Sequence, residues 1–296
     1  MPNKAAISQK YIELLKKSLL DELYFENEVR IIAAVDAISN EQKLTVASLH
    51  DLGPHATLIE LLRLQKLNGS TVILCRRNAD GTTTPMLGLR NFTELAHTLI
   101  GRRRLDNIQK SIECILDENV PGDLIETGIW RGGATIFMRG VLAAYGVIDR
   151  VVWAADSFEG VPPPTHPQDA GFDFSKGAFP FLAVSFEQVR DLFQRYDLLD
   201  DQVKFLKGWF RDTLHAARIE KLAMLRLDGD LYESTIDALD ALYEKVSIGG
   251  FVIVDDYYSV PPCKRAVDDF RSSHNITDTM IKIDKQSVFW RRRAKS

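Results

Sequence analysis

Cysteine is scarce in this sequence: Cys75, Cys114 and Cys263 are scattered, and three is an odd number. Such spacing gives neither a disulfide framework nor a thiolate set for zinc, and it suits a reducing compartment, so a cytoplasmic location is expected. No apolar run approaches the ~18 residues that would mark a membrane span. The opening MPNKAAISQKYIELLKKSLL lacks the long apolar core and small-residue cleavage site of a signal peptide. The G-x-G-x-x-G dinucleotide fingerprint is missing, and no Tyr-x-x-x-Lys pair follows the fourth strand expected in the second half, which counts against a nicotinamide-dependent oxidoreductase. Nor is there an excess of positive charge: 37 basic and 41 acidic residues leave a formal net charge of -4. No nucleic-acid partner and no membrane partner are expected, and the basic stretches at 101–105 and 291–296 read as solvated faces.

What is present is a globular composition, 45% hydrophobic over 296 residues, in two dissimilar parts. Residues 1–95 read as an N-terminal helical extension with a small insert. Apolar residues fall at helical spacing (Tyr11, Leu14, Leu15, Leu19, Leu20), a second helical stretch covers Thr57–Leu67, and a short strand Thr71–Cys75 precedes a turn at Asp80-Gly81. The oligomeric state is open in the sequence, and a helical extension of this size is compatible with a homodimer. From residue 96 to 296 strands and helices alternate with regular punctuation. A helix over 105–120 stops at Pro121-Gly122, strands follow at DLIETG, RVVWAADS, VKFLKG, LAMLRLDGD and FVIVDDYYS, and the chain closes on two strands that turn at Asp284–Gln286. That alternation defines an α/β fold, a doubly wound, mostly parallel, Rossmann-like sheet with an antiparallel strand at its end.

In such sheets ligands bind outside the carboxyl ends of the strands. The first strand of this half runs into ETGIWRGG, in which Glu126 precedes Gly128-x-x-x-Gly132-Gly133. Glycines at a strand-to-helix turn let a backbone approach a ligand, and a helix N-terminus then faces it. Asp156 closes the next strand, where a carboxylate can accept both hydroxyls of a ribose. An adenosine site with no phosphate cradle suits S-adenosylmethionine. The competing explanation needs the glycines for tight turns alone and Asp156 as a helix cap.

The sequence then collects four acids at two strand ends: Asp228 and Asp230 in LRLDGD, and Asp255 and Asp256 in FVIVDD, with Asp255 27 positions after Asp228. One helical crossover separates them, so right-handed winding sets the two tips side by side. Repelling carboxylates at one edge form a site for a hard dication, and oxygen ligands without His or Cys favour Mg²⁺ (or Ca²⁺, Mn²⁺) over Zn²⁺. A bound dication lowers the pKa of an acceptor hydroxyl while a neighbouring carboxylate takes the proton. The competing explanation is helix capping by Asp230 and simple solvation of Asp256.

The stretches AHTLIGRRRLDNIQ, DLIETGIWRGGATIFMRGVL, ADSFEGVPPP, LLDDQVKFLKGWFRDTL, LRLDGDLYESTIDALDALY and GGFVIVDDY resemble the macrocin O-methyltransferase family, which includes aminocoumarin sugar O-methyltransferases; the likeness runs from Ala96 to Arg292. The resemblance implies a class I methyltransferase fold, S-adenosylmethionine and Mg²⁺ as cofactors, and methylation of a sugar hydroxyl on a glycosylated natural product in a bacterial biosynthetic pathway. Carried onto this chain, it implies Asp228, Asp255 and Asp256 as metal ligands and Asp230 as general base, with Asp228 as the alternative proton acceptor. It implies Glu126, Thr127, Gly128, Trp130 and Arg131 around the cofactor, Asp156 and Ser157 at the ribose, and Gly208 and Trp209 at the adenine; Trp209 is as readily explained as a core aromatic. The loop Val161–Pro180 would be a lid whose Phe172, Phe174 and Phe179 meet an aglycone or pack the lid to the body. His166 reads as a surface loop residue, and His97 is placed near the cofactor by the family pattern. The segment 39–89 is longer than the family's usual N-terminal region. Methylation of a catechol-type diol at the same metal is the alternative activity.

Overall fold

The computed structural model describes residues 4–68, 75–85 and 95–294. The chain divides into two compact units, Glu13–Arg103 and Arg104–Ser296, the second together with Met1–Ile12. The boundary expected after residue 95 falls inside the first of these.

Helix α1 (Lys4–Leu19) begins the chain, and α2 (Glu26–Ser39), α3 (Val46–His50) and α4 (Ala56–Asn68) follow. The helical spacing read from Tyr11 to Leu20 belongs to α1 and its end, and α2 is a separate helix. The buried stripe of α1 is Ser8, Ile12, Leu15 and Leu19, whereas Tyr11 and Leu14 are exposed. The 3.6-residue period favours the 8–12–15–19 row once the Lys16 stem is buried alongside it. Val29, Ile32 and Leu62 centre a small apolar cluster of the first unit. Beside it a buried Lys66 pairs with Glu28 at 2.7 Å and donates to the Leu20 carbonyl at 2.9 Å. Strands β1 (Cys75–Arg77) and β2 (Thr83–Pro85) form a hairpin whose turn contains Asp80-Gly81, as expected. The strand expected at Thr71–Cys75 lies outside the described residues except for Cys75.

The second unit is the α/β sheet. Its strands are β3 (Asp123–Thr127), β4 (Val152–Asp156), β5 (Val203–Lys207), β6 (Leu222–Leu227), β7 (Val246–Val254), β8 (Ile281–Lys282) and β9 (Val288–Arg291). They lie in the order β5-β4-β3-β6-β7-β9-β8. Strands β3 to β7 pair in parallel, and β9 runs antiparallel to β7. Helices α5 (Arg102–Asp117), α6 (Gly133–Tyr145), α7 (Phe186–Arg195), α8 (Phe210–Thr213), α9 (Tyr232–Leu242) and α10 (Pro261–Ser273) form the crossovers and flanks. Local chemistry marks where two of them begin: a Ser185/Gln188 capping box opens α7, and Pro261 pre-sets the first turn of α10. All six residues of β6 are buried, as a central parallel strand requires. Strand β7 starts at Val246, five residues before the expected Phe251, because Gly249-Gly250 lies within the strand.

Strand order reverses between β3 and β6, which puts the crevice of this sheet at their carboxyl ends. Among the described residues, no helix is long and apolar enough to cross a membrane.

Candidate active site

On the β3–β4 side, Thr127 is buried at the β3 tip, followed by Gly128 with φ +86°. A Cβ on Gly128 would sit 1.9 Å from the Asp228 carbonyl oxygen. The glycine is therefore demanded by the chain's own backbone, since the β3 and β6 tips touch at this point. Trp130 also adopts a positive φ, its indole N–H donates to the Phe181 carbonyl at 2.8 Å, and the Arg131 guanidinium stacks 4.4 Å over its ring.

Asp156 accepts the Ile129 N–H at 2.8 Å and the Phe158 N–H at 2.7 Å. It ties the loop after β3 to the tip of β4. Burial pushes its pKa up, and these donors oppose the shift. The Trp130 N–H and the Ser157 hydroxyl (3.4 Å) also reach this carboxylate, so the protein itself engages most of its acceptor positions. Ser157 donates to the Gly160 carbonyl at 2.8 Å. Gly208 donates to the Asp156 carbonyl at 2.9 Å, and half-buried Trp209 starts α8. Glu126 does not stand free at the crevice: it is 2% exposed, and its carboxylate accepts from Arg226 and Thr135. Burial raises its pKa to about 7, against the attraction of Arg226.

On the β6–β7 side, Leu227 pairs with Val254, so Asp228 and Asp255 emerge side by side from parallel neighbours. One carboxylate oxygen from each of Asp228, Asp255 and Asp256 lies within 4.8 Å of the others. Opposed ligands of a hard dication are separated by twice the metal–oxygen distance, about 4–5 Å, so the spread fits such an ion. Asp256 Oδ2 is buried and has no hydrogen-bond partner. Burial, then repulsion from Asp230, Asp228 and Asp255, pushes the Asp256 pKa well up. Asp230 is pushed up to about 8 by burial and by repulsion from Asp228 and Asp255. The donor set and the orphaned oxygen both fit a cation.

Two arginines hold this cluster from behind. Arg226, wholly buried in β6, donates to Glu126, to Asp228 at 2.7 Å and to Asp255. Arg104 of α5 donates to the other Asp255 oxygen, to Asp284 at 2.8 Å and to Gln286. Asp255 is raised by burial and lowered by both guanidiniums. Sequence reasoning missed both arginines, although a signal existed: LRL contains a charge inside a strand too apolar to leave it unpaired.

Asp230 is not the cap of α9. Leu231 holds the N-cap position without a side-chain bond, and Asp230 sits at φ +58°. His166 is half-buried and stacks on Tyr232, and Phe174 packs against the sheet core. His97 donates its main-chain N–H to the Leu19 carbonyl within the first unit.

A doubly wound sheet of this order, with its acids and glycines at the carboxyl ends of the central strands, defines the chain as a class I methyltransferase. The family model for Macrocin-O-methyltransferase (TylF) matches residues 8–292, and the chain belongs to that family. It is 54% identical over 211 residues to the demethyldecarbamoylnovobiocin O-methyltransferase of Streptomyces niveus, covering 69% of this chain and 78% of that one. It is 50% identical over 208 residues to the mycinamicin III 3''-O-methyltransferase of Micromonospora griseorubida, covering 69% and 82%. The solved structure of the O-methyltransferase NovP superposes with a TM-score of 0.74 at 41% identity, over 97% of this chain and all of that one. The calicheamicin methyltransferase CalS11 shares the fold at 19% identity and a TM-score of 0.51, over 64% of this chain and 78% of that one. The protein is an O-methyltransferase, and its family implies S-adenosylmethionine as the methyl donor.

Proposed function

We propose that the protein methylates a hydroxyl of a sugar carried by a glycosylated natural product, in a reaction that requires a divalent cation. The observation that carries the metal requirement is the convergence of Asp228, Asp255 and Asp256 with one buried, unpartnered oxygen on Asp256. The relatives are named for demethyldecarbamoylnovobiocin, a rhamnosyl-tetracenomycin and mycinamicin III, which supports a sugar-bearing acceptor.

In this reading Asp228, Asp255 and Asp256 hold Mg²⁺. An aliphatic hydroxyl has a pKa in the region of water's ~15.7 and is a poor nucleophile at neutral pH. When bound, the cation supplies Lewis acidity that lowers this pKa and fixes a vicinal diol in place. Asp230 accepts the hydroxyl proton, its carboxylate lying in the same acidic cluster; Asp228 is the second candidate for that role. Arg226 and Arg104 each hold one oxygen of Asp255 and so fix the direction in which its remaining lone pairs face the acidic cluster. The residues that would hold S-adenosylmethionine lie along the β3–β4 edge. There Thr127, Trp130 and Arg131 would line its site, with Glu126 and Gly128 fixing the strand tip behind them, Asp156 and Ser157 would face the ribose, and Gly208 and Trp209 the adenine. When bound, the cofactor would supply a sulfonium methyl group; the acceptor oxygen would form the new C–O bond as the C–S bond breaks, S-adenosylhomocysteine would leave, and the hydroxyl proton would pass to Asp230.

The test is turnover on a panel of glycosylated diols and of catechols, read as gain of one methyl group, with and without EDTA. Methylation of a sugar diol that stops with EDTA and returns with Mg²⁺ is the expected result. Turnover confined to catechols would move the acceptor assignment to aromatic diols, and EDTA-insensitive turnover would remove the metal.

A further inference from the structure

The loop expected to act as a lid carries an acid with no part in the chemistry described so far. Asp169 is fully buried, yet it lies in the loop Val161–Pro180, remote in sequence from every other acid of the site. Its two oxygens accept the main-chain N–H groups of Tyr232 at 2.6 Å and Glu233 at 3.1 Å. These are the first two residues of α9, whose own N-cap, Leu231, offers no side-chain acceptor. A carboxylate there satisfies exposed donors and meets the positive end of the helix dipole.

The adjoining loop residues bind the same turn. Thr165 donates to the Glu233 carboxylate at 2.8 Å, and the His166 ring stacks on Tyr232 with centroids 4.6 Å apart. The chain just before this helix start is Asp228-Gly229-Asp230. The Leu231 N–H bonds the Gly229 carbonyl at 2.6 Å, closing a tight turn around Asp230, which takes a positive φ. Had Asp230 served as the cap, its side chain would bond the helix N–H groups. Because Asp169 occupies that role from across the fold, the Asp230 carboxylate stays with the acidic cluster.

We propose that Asp169 is a positioning residue: it caps α9 in trans and thereby sets the Gly229–Leu231 turn, so that seating of the loop Val161–Pro180 and placement of Asp230 are one event, while Asp228 stays held by Arg226. This rests on the reading of Asp230 as the proton acceptor. Asp169 touches none of the reacting atoms.

The test is a double-mutant cycle of Asp169→Ala with Asp230→Asn, measured by single-turnover kinetics. Asp169→Ala is expected to lower kcat about 100-fold, as a displacement near 1 Å can do, while leaving KM for S-adenosylmethionine and the calorimetric Mg²⁺ affinity unchanged. Asp169→Asn keeps one acceptor and restores most of the rate. In the Asp230→Asn background the loss from Asp169→Ala should vanish, because coupled residues are not additive. Equal losses in both backgrounds would overturn the proposal, as would loss of Mg²⁺ binding in Asp169→Ala, since either shows a general structural role. Full activity of Asp230→Asn would instead sink the assignment of Asp230 itself. If Asp169→Ala fails to fold, Asp169→Ser, which is uncharged and too short to span both N–H groups, carries the same cycle.

Discussion

Asp156, at the end of β4, and Asp256, just beyond β7, stand on opposite sides of the β3–β6 crevice, and the chain treats them in opposite ways. Asp156 is satisfied by main-chain donors from two loops and is complete as a piece of protein structure. Asp256 keeps one buried oxygen with no partner, beside three further aspartates. Around Asp256, Arg226 and Arg104 already pair with Asp228, Asp255 and Asp284, so the guanidiniums are committed and negative charge remains. A buried acid without a partner is costly. Its persistence at one edge and not the other marks where a cation belongs.

Removing the unpaired acid should break this contrast most strongly. Asp256→Asn is expected to cut turnover more than the roughly 10–100-fold typical of changes outside the ligand shell. The same change relieves repulsion, so the metal-free protein should melt at a higher temperature than the parent. Thermal melts with and without Mg²⁺ check both halves; a lower metal-free melting temperature would contradict the charge argument. Next in size, Arg226→Met strands Glu126 and Asp255 as buried acids without this guanidinium. Urea unfolding of the metal-free protein should show a loss of about 3–5 kcal/mol, and a neutral result would mean the acids repack or protonate without cost. Gly128→Ala pushes a methyl group into the Asp228 carbonyl. It should cost about 1–3 kcal/mol through overpacking and weaken Mg²⁺ binding, because the disturbed carbonyl belongs to a metal ligand. The smallest effect is expected on the completed side: Asp156→Asn loses charge-assisted acceptance of two N–H groups and should cost about 1–3 kcal/mol. It should also weaken S-adenosylmethionine binding, with Mg²⁺ affinity left as it was. If Asp156→Asn altered Mg²⁺ binding as much as Asp256→Asn does, the two edges would not be distinct.

The order of elements and the adjacency of the acids were legible because they depend on period and spacing. Alternating strands and helices specify a parallel sheet, and 27 residues between Asp228 and Asp255 allow one crossover between neighbours. The arginine frame was hidden for the opposite reason. Arg104 meets Asp284 and Gln286 from 180 and 182 residues away, and Asp169 meets Tyr232 from 63. Such contacts are set by tertiary packing and leave no local pattern. The sequence around Gly128 suggests an opening for a ligand, whereas the space beside it belongs to Asp228; nothing in ETG separates a close ligand from a close strand. In the first unit helical spacing is visible, but Tyr11 and Leu14 lie off the buried row of α1, because a buried Lys16 makes that stripe look polar.

The central claim is that Asp228, Asp255 and Asp256 hold a divalent cation that the reaction needs. The most direct measurement is calorimetric titration of Mg²⁺ into metal-stripped protein, parent and Asp256→Asn side by side, with S-adenosylmethionine present. One saturable site in the parent and none in the variant is the predicted result. Absence of any Mg²⁺ site in the parent, together with full turnover in EDTA, would contradict the account.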